Sequence, residues 1–382
     1  VFNVVLSMFA TDRDMQVLAI VVAATCALPG PFLMLRRMAL ITDAISHVIL
    51  LGIVLAFFVV RDLKSPFLLV GAAGGGVVTV VLVELLKRTR LIREDAAIGL
   101  VYPALFSFAV VLVSRYLRNT HLDIDAVLVG DLAQAAAEQI RLANHFMLPR
   151  ATLLMLLLWG VNALFIVLFW KELKLSTFDP MLAESLGFRP AALNYVLMTV
   201  VSLTVVTAFD AVGPVLVVPL IIVPAATSFL LSDRLALVVL FSVGLAILGA
   251  ESGFWVAQWT DANFAGAMAA MLGVEFAVAW FLAPKRGWLA RRRRRHQNYR
   301  RFMQTLLAIH LMHHEGTVDE LQESSSDALP QHLHWSPELV RRVISWAEES
   351  GWVRRRGDRL ELTEKGRQQA RRTLGTPEAS PS

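Results

Sequence analysis

A single cysteine, Cys26, stands in 382 residues. A lone thiol forms no internal disulfide, so the chain is not a stapled secreted scaffold. Charge is scarce as well. Asp, Glu, Lys and Arg together make up 18% of the chain, against about 25% in soluble globular domains. No Gly-rich phosphate loop ending in Gly-Lys-Ser/Thr occurs, which excludes nucleotide hydrolysis by that route. The His-Glu-x-x-His and Gly-x-Ser-x-Gly patterns of zinc proteases and serine hydrolases are missing too. Nothing in the chain encodes chemistry on a substrate or a covalently held cofactor, so no enzymatic activity is expected.

Long apolar runs are abundant, with 56% of residues hydrophobic. A bilayer core takes about 20 apolar residues per helix. Nine segments up to Pro284 approach or exceed that length: 15–35, 44–60, 66–86, 96–114, 151–170, 193–209, 214–231, 236–259 and 262–283. The fold class expected is an all-α polytopic membrane bundle of eight or nine spans with a small α+β domain at its C-terminal end. The expected boundaries are a transmembrane domain over 1–288, a basic juxtamembrane linker over 289–298, a cytoplasmic domain over 299–374 and a disordered tail over 375–382.

Basic gaps set the orientation. Arg36 with Arg37, the cluster 87–93, Lys171 with Lys174 and the run Arg291–Arg295 belong on the cytoplasmic side. Nine spans then put the N-terminus outside and the C-terminus inside, with Arg61 and Lys64 as minor exceptions outside. Small residues recur at Gly71, Gly74, Gly75 and Gly76, and again at Gly244, Gly249 and Gly253. They let membrane helices approach closely. The seventh span contains Pro214, Pro219 and Pro224. Proline removes a helical hydrogen bond, so a broken or re-entrant segment is expected there.

Ionisable residues inside a span are costly and usually face a cavity or pathway. Asp43 and His47 in the second span are four apart and share a helical face. Carboxylate plus imidazole suits Mn, Fe or Zn better than soft Cu(I). The alternative is a structural hydrogen-bonded pair near the helix end. Glu84 and Asp210 lie near span ends, and Glu251 and Glu275 lie deeper, where packing partners inside the bundle are the simpler reading. Between the fifth and sixth spans, STFDPMLAESLGFRP reads as a short amphipathic helix. Asp179 precedes Pro180 at the first turn, and Gly187 ends it. The loop 116–150 carries Asp123, Asp125 and Asp131 and is expected outside.

From about Met15 to Trp288 the chain resembles the permease subunits of the zinc/manganese/iron class of bacterial ABC importers, the ABC-3 family. Ordered blocks carry the resemblance: FLMLRRMALITDAISHVILLGI, REDAAIGLVYPALF, DIDAVLVGDL, STFDPMLAESLG and AVGPVLVVPLIIVPAATSFLL. The resemblance implies a pathway metal site at Asp43 and His47. It implies a coupling helix that docks on the ATPase at Phe178, Asp179, Ala183 and Gly187. Gly213 and Pro224 match an irregular late span, which with Pro214 and Pro219 is a candidate gate or helix break. Leu51 replaces a usual proline, and Ser228 stands where a basic residue is common. Implied partners are a separate ABC ATPase, a second permease subunit, homologous or identical, an extracytoplasmic metal-binding protein and membrane lipid. The implied cargo is divalent manganese, zinc or iron.

Beyond Pro284 the pattern turns soluble. A helix over 299–313, a second over 336–349 capped by Ser336, a two-stranded wing with a Gly-Asp turn and a closing helix over 363–372 resemble winged-helix domains of metal-dependent repressors. Six of the nine histidines fall here. His310 and His314, four apart on one helix, are a candidate regulatory metal pair. A membrane-bound metal-responsive regulator whose tail reads DNA is the alternative function. Nucleic acid is the less favoured partner, because the helix that would contact it carries Glu348 and Glu349.

Overall fold

The computed structural model describes residues 2–62, 65, 67–89, 91–116, 132–143, 146–317 and 324–374. Two compact units divide it, Val1–Gly287 and Trp288–Ser382. The predicted disordered tail 375–382, Lys64, and Asp123, Asp125 and Asp131 with nearly all of their block lie outside the described residues.

The first unit is a helix bundle. Its long helices are α1 (Phe2–Ala27), α3 (Ala39–Val60), α4 (Phe67–Arg88), α5 (Glu94–Tyr116), α7 (Arg150–Leu168), α10 (Pro190–Val212), α11 (Pro214–Leu231), α12 (Leu235–Thr260) and α13 (Phe264–Leu282). Shorter elements are α2 (Gly30–Leu35), α6 (Leu132–Ala137), α8 (Trp170–Phe178) and α9 (Pro180–Ser185), with strands β1 (Gln139–Ala143) and β2 (Phe146–Pro149). Among the described residues, nine helical segments are long and apolar enough to cross a membrane; the first runs from Asp12 to Leu35 through α1 and α2. The β1–β2 antiparallel hairpin was not legible in the sequence, where that stretch reads only as a polar loop.

Glycine brings the helix axes together where a backbone must face a backbone. A side chain on Gly52 of α3 would collide with the Gly71 carbonyl oxygen of α4, and one on Gly253 of α12 would meet the Met268 backbone of α13. Gly74 and Gly244 face open space instead. Only part of the small-residue pattern is therefore interface. Deep in the bundle, Asn162 of α7 donates to Thr204 of α10 at 2.9 Å. That bond satisfies an amide that hydrocarbon would leave unpaired.

The expected break within 214–231 is corrected. α11 is one continuous helix through Pro219 and Pro224. The break falls before it, at Gly213, whose φ of +75° suits glycine and turns the chain directly from α10 into α11. Inside a membrane bundle, proline is tolerated where neighbouring helices and small local adjustments re-satisfy the freed backbone groups. Neighbouring helices also enclose Leu216, Val217, Leu220 and Ile221. By contrast, the first span is interrupted at Leu28–Pro29, between α1 and α2.

The second unit is a small α+β region. It comprises α14 (Trp288–His314), α15 (Leu329–His332), α16 (Pro337–Glu349), β3 (Val353–Arg356), β4 (Arg359–Leu362) and α17 (Glu364–Leu374). Its own core joins Leu307, Leu311, Val340, Val343, Ile344, Val353 and Leu360. Ser336 caps α16 by accepting from the Leu339 amide at 3.3 Å, and β3 pairs with β4 antiparallel around Gly357. Arg367 on α17 clasps Glu315 at 2.7 Å. Residues 289–298, read as a basic juxtamembrane linker, are helical and form the first turns of α14. Arginine is a good helix former, and Arg292 lies over the Trp288 ring one turn back, 5.4 Å from its centre.

Candidate functional site

α3 carries two faces. Ile41, Ile45 and Ile49 point into the core and are fully or almost fully buried. Asp43 and His47 lie on a less covered stripe, with side chains 45% and 41% exposed. Their closest approach is 3.6 Å, from His47 Nε2 to Asp43 Oδ1. That is longer than a hydrogen bond and within ion-pair distance.

The imidazole is held from the side. Tyr102 of α5 stacks on it at 5.5 Å with 24° between planes, and Phe106 meets it edge-on at 6.1 Å. The sequence reading missed these two aromatics. Their signal was a pair four apart on an apolar helix, which is indistinguishable from ordinary packing until α5 is known to cross α3. Together they flank the ring, while the side chains of both His47 and Asp43 remain partly exposed. Among the described residues, no group of three or more His, Cys, Asp or Glu is arranged to hold a metal ion. Asp43 and His47 are two oxygen- and nitrogen-bearing side chains on one face of α3.

Two of the other intramembrane acids have side-chain contacts. Glu251 accepts from Gln16 of α1 at 2.7 Å, and Glu84 lies 3.7 Å from Arg88. The Glu251 contact fits the packing reading, while Glu84 pairs within its own helix near the span end.

The segment between α7 and α10 forms α8 and α9. Asp179 accepts from the Leu182 amide at 3.0 Å and starts α9. Gly187, at φ +86°, ends it, with the Phe188 amide returning to the Ala183 carbonyl at 3.0 Å. Ala183 is fully buried, while Phe178, Met181, Leu182 and Leu186 are exposed. The four residues assigned to this segment thus divide into a cap, a stop, a buried anchor and one member of an exposed apolar end.

Past α11, Asp233 receives Lys285 at 2.9 Å and Arg286 at 2.7 Å. The hydrogen bond from Lys285, and then the charges of Lys285 and Arg286, hold this carboxyl below its ordinary range. In the second unit, the His310 and His314 rings are 4.8 Å apart, with His332 6.4 Å from His310.

Comparison with known proteins places these features. A model of the ABC 3 transport family matches residues 11–283. The zinc transport system membrane protein TroD of Treponema pallidum is 43% identical, over 92% of this chain and 96% of its own. The manganese transport system membrane protein MntD of Bacillus subtilis is 40% identical, over 72% of this chain and 93% of its own. Among solved structures, PsaBC from Streptococcus pneumoniae in complex with Fab superposes with a TM-score of 0.60 at 25% identity. That match covers 72% of this chain and 93% of the other. With the family model matching residues 11–283 and nine apolar helices among the described residues, the chain belongs to the ABC 3 transport family.

Proposed function

We propose that this chain is the permease subunit of an ATP-driven importer of divalent metal ions, with manganese, zinc or iron as cargo. The observation that carries this reading is the open Asp43–His47 pair on α3. One carboxylate oxygen and one imidazole nitrogen sit 3.6 Å apart and are braced from behind by Tyr102 and Phe106. Oxygen and imidazole donors match these metals, and relatives named for zinc and manganese transport support the same class. Two protein donors bind a cation weakly enough to release it, as a transport step requires. A second permease subunit against the same stripe of α3 would complete the coordination.

In this reading the charge pattern puts the C-terminal end in the cytoplasm. The exposed apolar end of α8–α9, with Phe178, Asp179, Ala183 and Gly187, receives a separate ATPase. Gly213 is the hinge beside the proline-bearing α11, where gating movement would be taken up. An extracytoplasmic binding protein delivers the metal to the opposite side. The arginines 291–295 at the start of α14 contact anionic headgroups. The α+β unit, winged-helix-like in its order of elements, acts as an interaction module. On α16, exposed Glu338, Glu348 and Glu349 alternate with Arg341 and Arg342, and Glu349 pairs with Arg300 at 2.9 Å, so the helix presents mixed charge rather than a basic face.

The test is metal uptake by the Asp43→Ala/His47→Ala double variant in membranes where the complex still assembles. Uptake at the wild-type rate would remove the pair from the mechanism.

A further inference from the structure

Arg36 and Arg37 are neighbours in sequence and part company in the fold. Arg37 adopts a left-handed backbone (φ +61°) and is exposed. Arg36 caps α2 and turns inward. Its guanidinium donates three hydrogen bonds: Nε to Thr177 Oγ1 at 3.1 Å, one terminal nitrogen to Asn194 Oδ1 at 2.9 Å, and the other to Ser176 Oγ at 2.8 Å. Both hydroxyls give their own protons to the Leu173 carbonyl, at 2.6 Å from Thr177 and 3.3 Å from Ser176. Their lone pairs are thereby committed to the arginine. All three acceptors are neutral, and burial pulls the Arg36 pKa below its ordinary value.

The three acceptors bracket one segment. Ser176 and Thr177 lie at the end of α8, just before the α9 cap, and Asn194 lies in the first turns of α10. On the other side, Arg36 is tied to α3. The Met38 amide closes back on the Leu33 carbonyl at 2.9 Å, and α3 begins at Ala39. Asp43 follows Arg36 by seven residues. A rigid planar fork with three directed bonds thus joins the α8–α9 segment to the base of the helix that holds the candidate metal donors. An apolar contact would hold these elements at a lower desolvation cost, but it would fix no orientation.

We infer that Arg36 is a positioning residue that passes displacement of the α8–α9 segment to α3, and so sets the opening of the Asp43–His47 pair. This rests on the proposed roles of α8–α9 in ATPase docking and of Asp43–His47 in the metal path.

The experiment uses the complete complex, with its ATPase and second permease subunit, in proteoliposomes. ATP hydrolysis and uptake of manganese or zinc are measured on the same vesicles, and metal moved per ATP is the readout. Arg36→Gln is expected to keep hydrolysis near wild type while metal per ATP falls about tenfold, the scale of a lost hydrogen-bonded charge. Arg36→Lys retains the charge without the fork and should fall in between. Should Arg36→Gln fail to assemble, Ser176→Ala and Asn194→Ala each remove one bond and should lower the ratio in smaller steps. An unchanged ratio in the assembled variants overturns the inference. So does a proportional loss of hydrolysis and uptake, which would mark Arg36 as a packing residue of the docking surface. An Asp43→Ala/His47→Ala arm separates the two failures: wild-type uptake there sinks the metal-path reading, whatever Arg36 does.

Discussion

Two glycines on facing helices should respond in opposite directions to the same methyl group. Gly52 of α3 faces the backbone of α4. A Cβ there meets the Gly71 carbonyl, with the Gly71 carbon and Ala72 Cα both at 2.8 Å. These are main-chain atoms, so relief requires α4 to move away. Overpacking of this kind costs about 1–3 kcal/mol, and the better helix propensity of alanine returns about 1 kcal/mol. The expected net loss for Gly52→Ala is therefore up to about 2 kcal/mol. Gly74 of α4 has nothing within 4 Å of its Cβ position, so Gly74→Ala keeps only the propensity gain, up to about 1 kcal/mol. Thermal melts of the purified complex in one detergent, read by fluorescence-detected size exclusion, should show a lower midpoint for Gly52→Ala and an equal or higher one for Gly74→Ala. The same direction in both variants would refute the claim that backbone contact between α3 and α4 sets the position of the helix bearing Asp43 and His47.

Asp179→Ala removes the cap of α9, a change worth about 1 kcal/mol. It should weaken binding of the ATPase subunit about fivefold, the same energy expressed as an equilibrium ratio; pull-down at graded ATPase concentration reads this, and equal binding would argue that α9 is not the docking element. Asp233, whose carboxyl is held below its ordinary pKa by Lys285 and Arg286, contributes stability that is complete above its unfolded pKa of about 3.9. That contribution is lost as pH falls through the folded value. The difference in melting midpoint between wild type and Asp233→Asn should therefore be constant near neutral pH and shrink below about pH 4; a difference that grows on acidification contradicts the assignment. The unit 288–382 has its own core and can be titrated alone. If His310 and His314 hold zinc, saturation at about a hundred times the dissociation constant adds about 2.7 kcal/mol. The melting midpoint should then rise by several degrees, and the rise should vanish in His310→Ala/His314→Ala. No rise in the wild-type unit ends that proposal.

Spans, orientation signals and the donor pair were legible because they follow from local rules. Hydrocarbon demands an apolar run of fixed length, whatever the neighbours do. A four-residue spacing puts Asp43 and His47 on one face of any helix. Asp179, Pro180 and Gly187 punctuate α9 through their own backbone chemistry. The same local logic misled at α11, where three prolines suggested a break. Lost hydrogen bonds do not stop a helix that surrounding helices enclose and that has no solvent to turn to. At 289–298 the charge run read as a linker is helical, a feature its composition alone did not announce.

The sequence by itself determined that this is a membrane helix bundle with Asp43 and His47 on one helical face and a separate, more polar C-terminal unit, since each of those depends on composition and short-range spacing. Tertiary structure alone decided which face of α3 stays open, that Tyr102 and Phe106 brace His47, and that Arg36 binds α8 and α10 while Arg37 points away. The physical reason is distance along the chain. Arg36 and Asn194 are 158 residues apart, and only the packing of the bundle brings a donor and an acceptor so far separated within 2.9 Å.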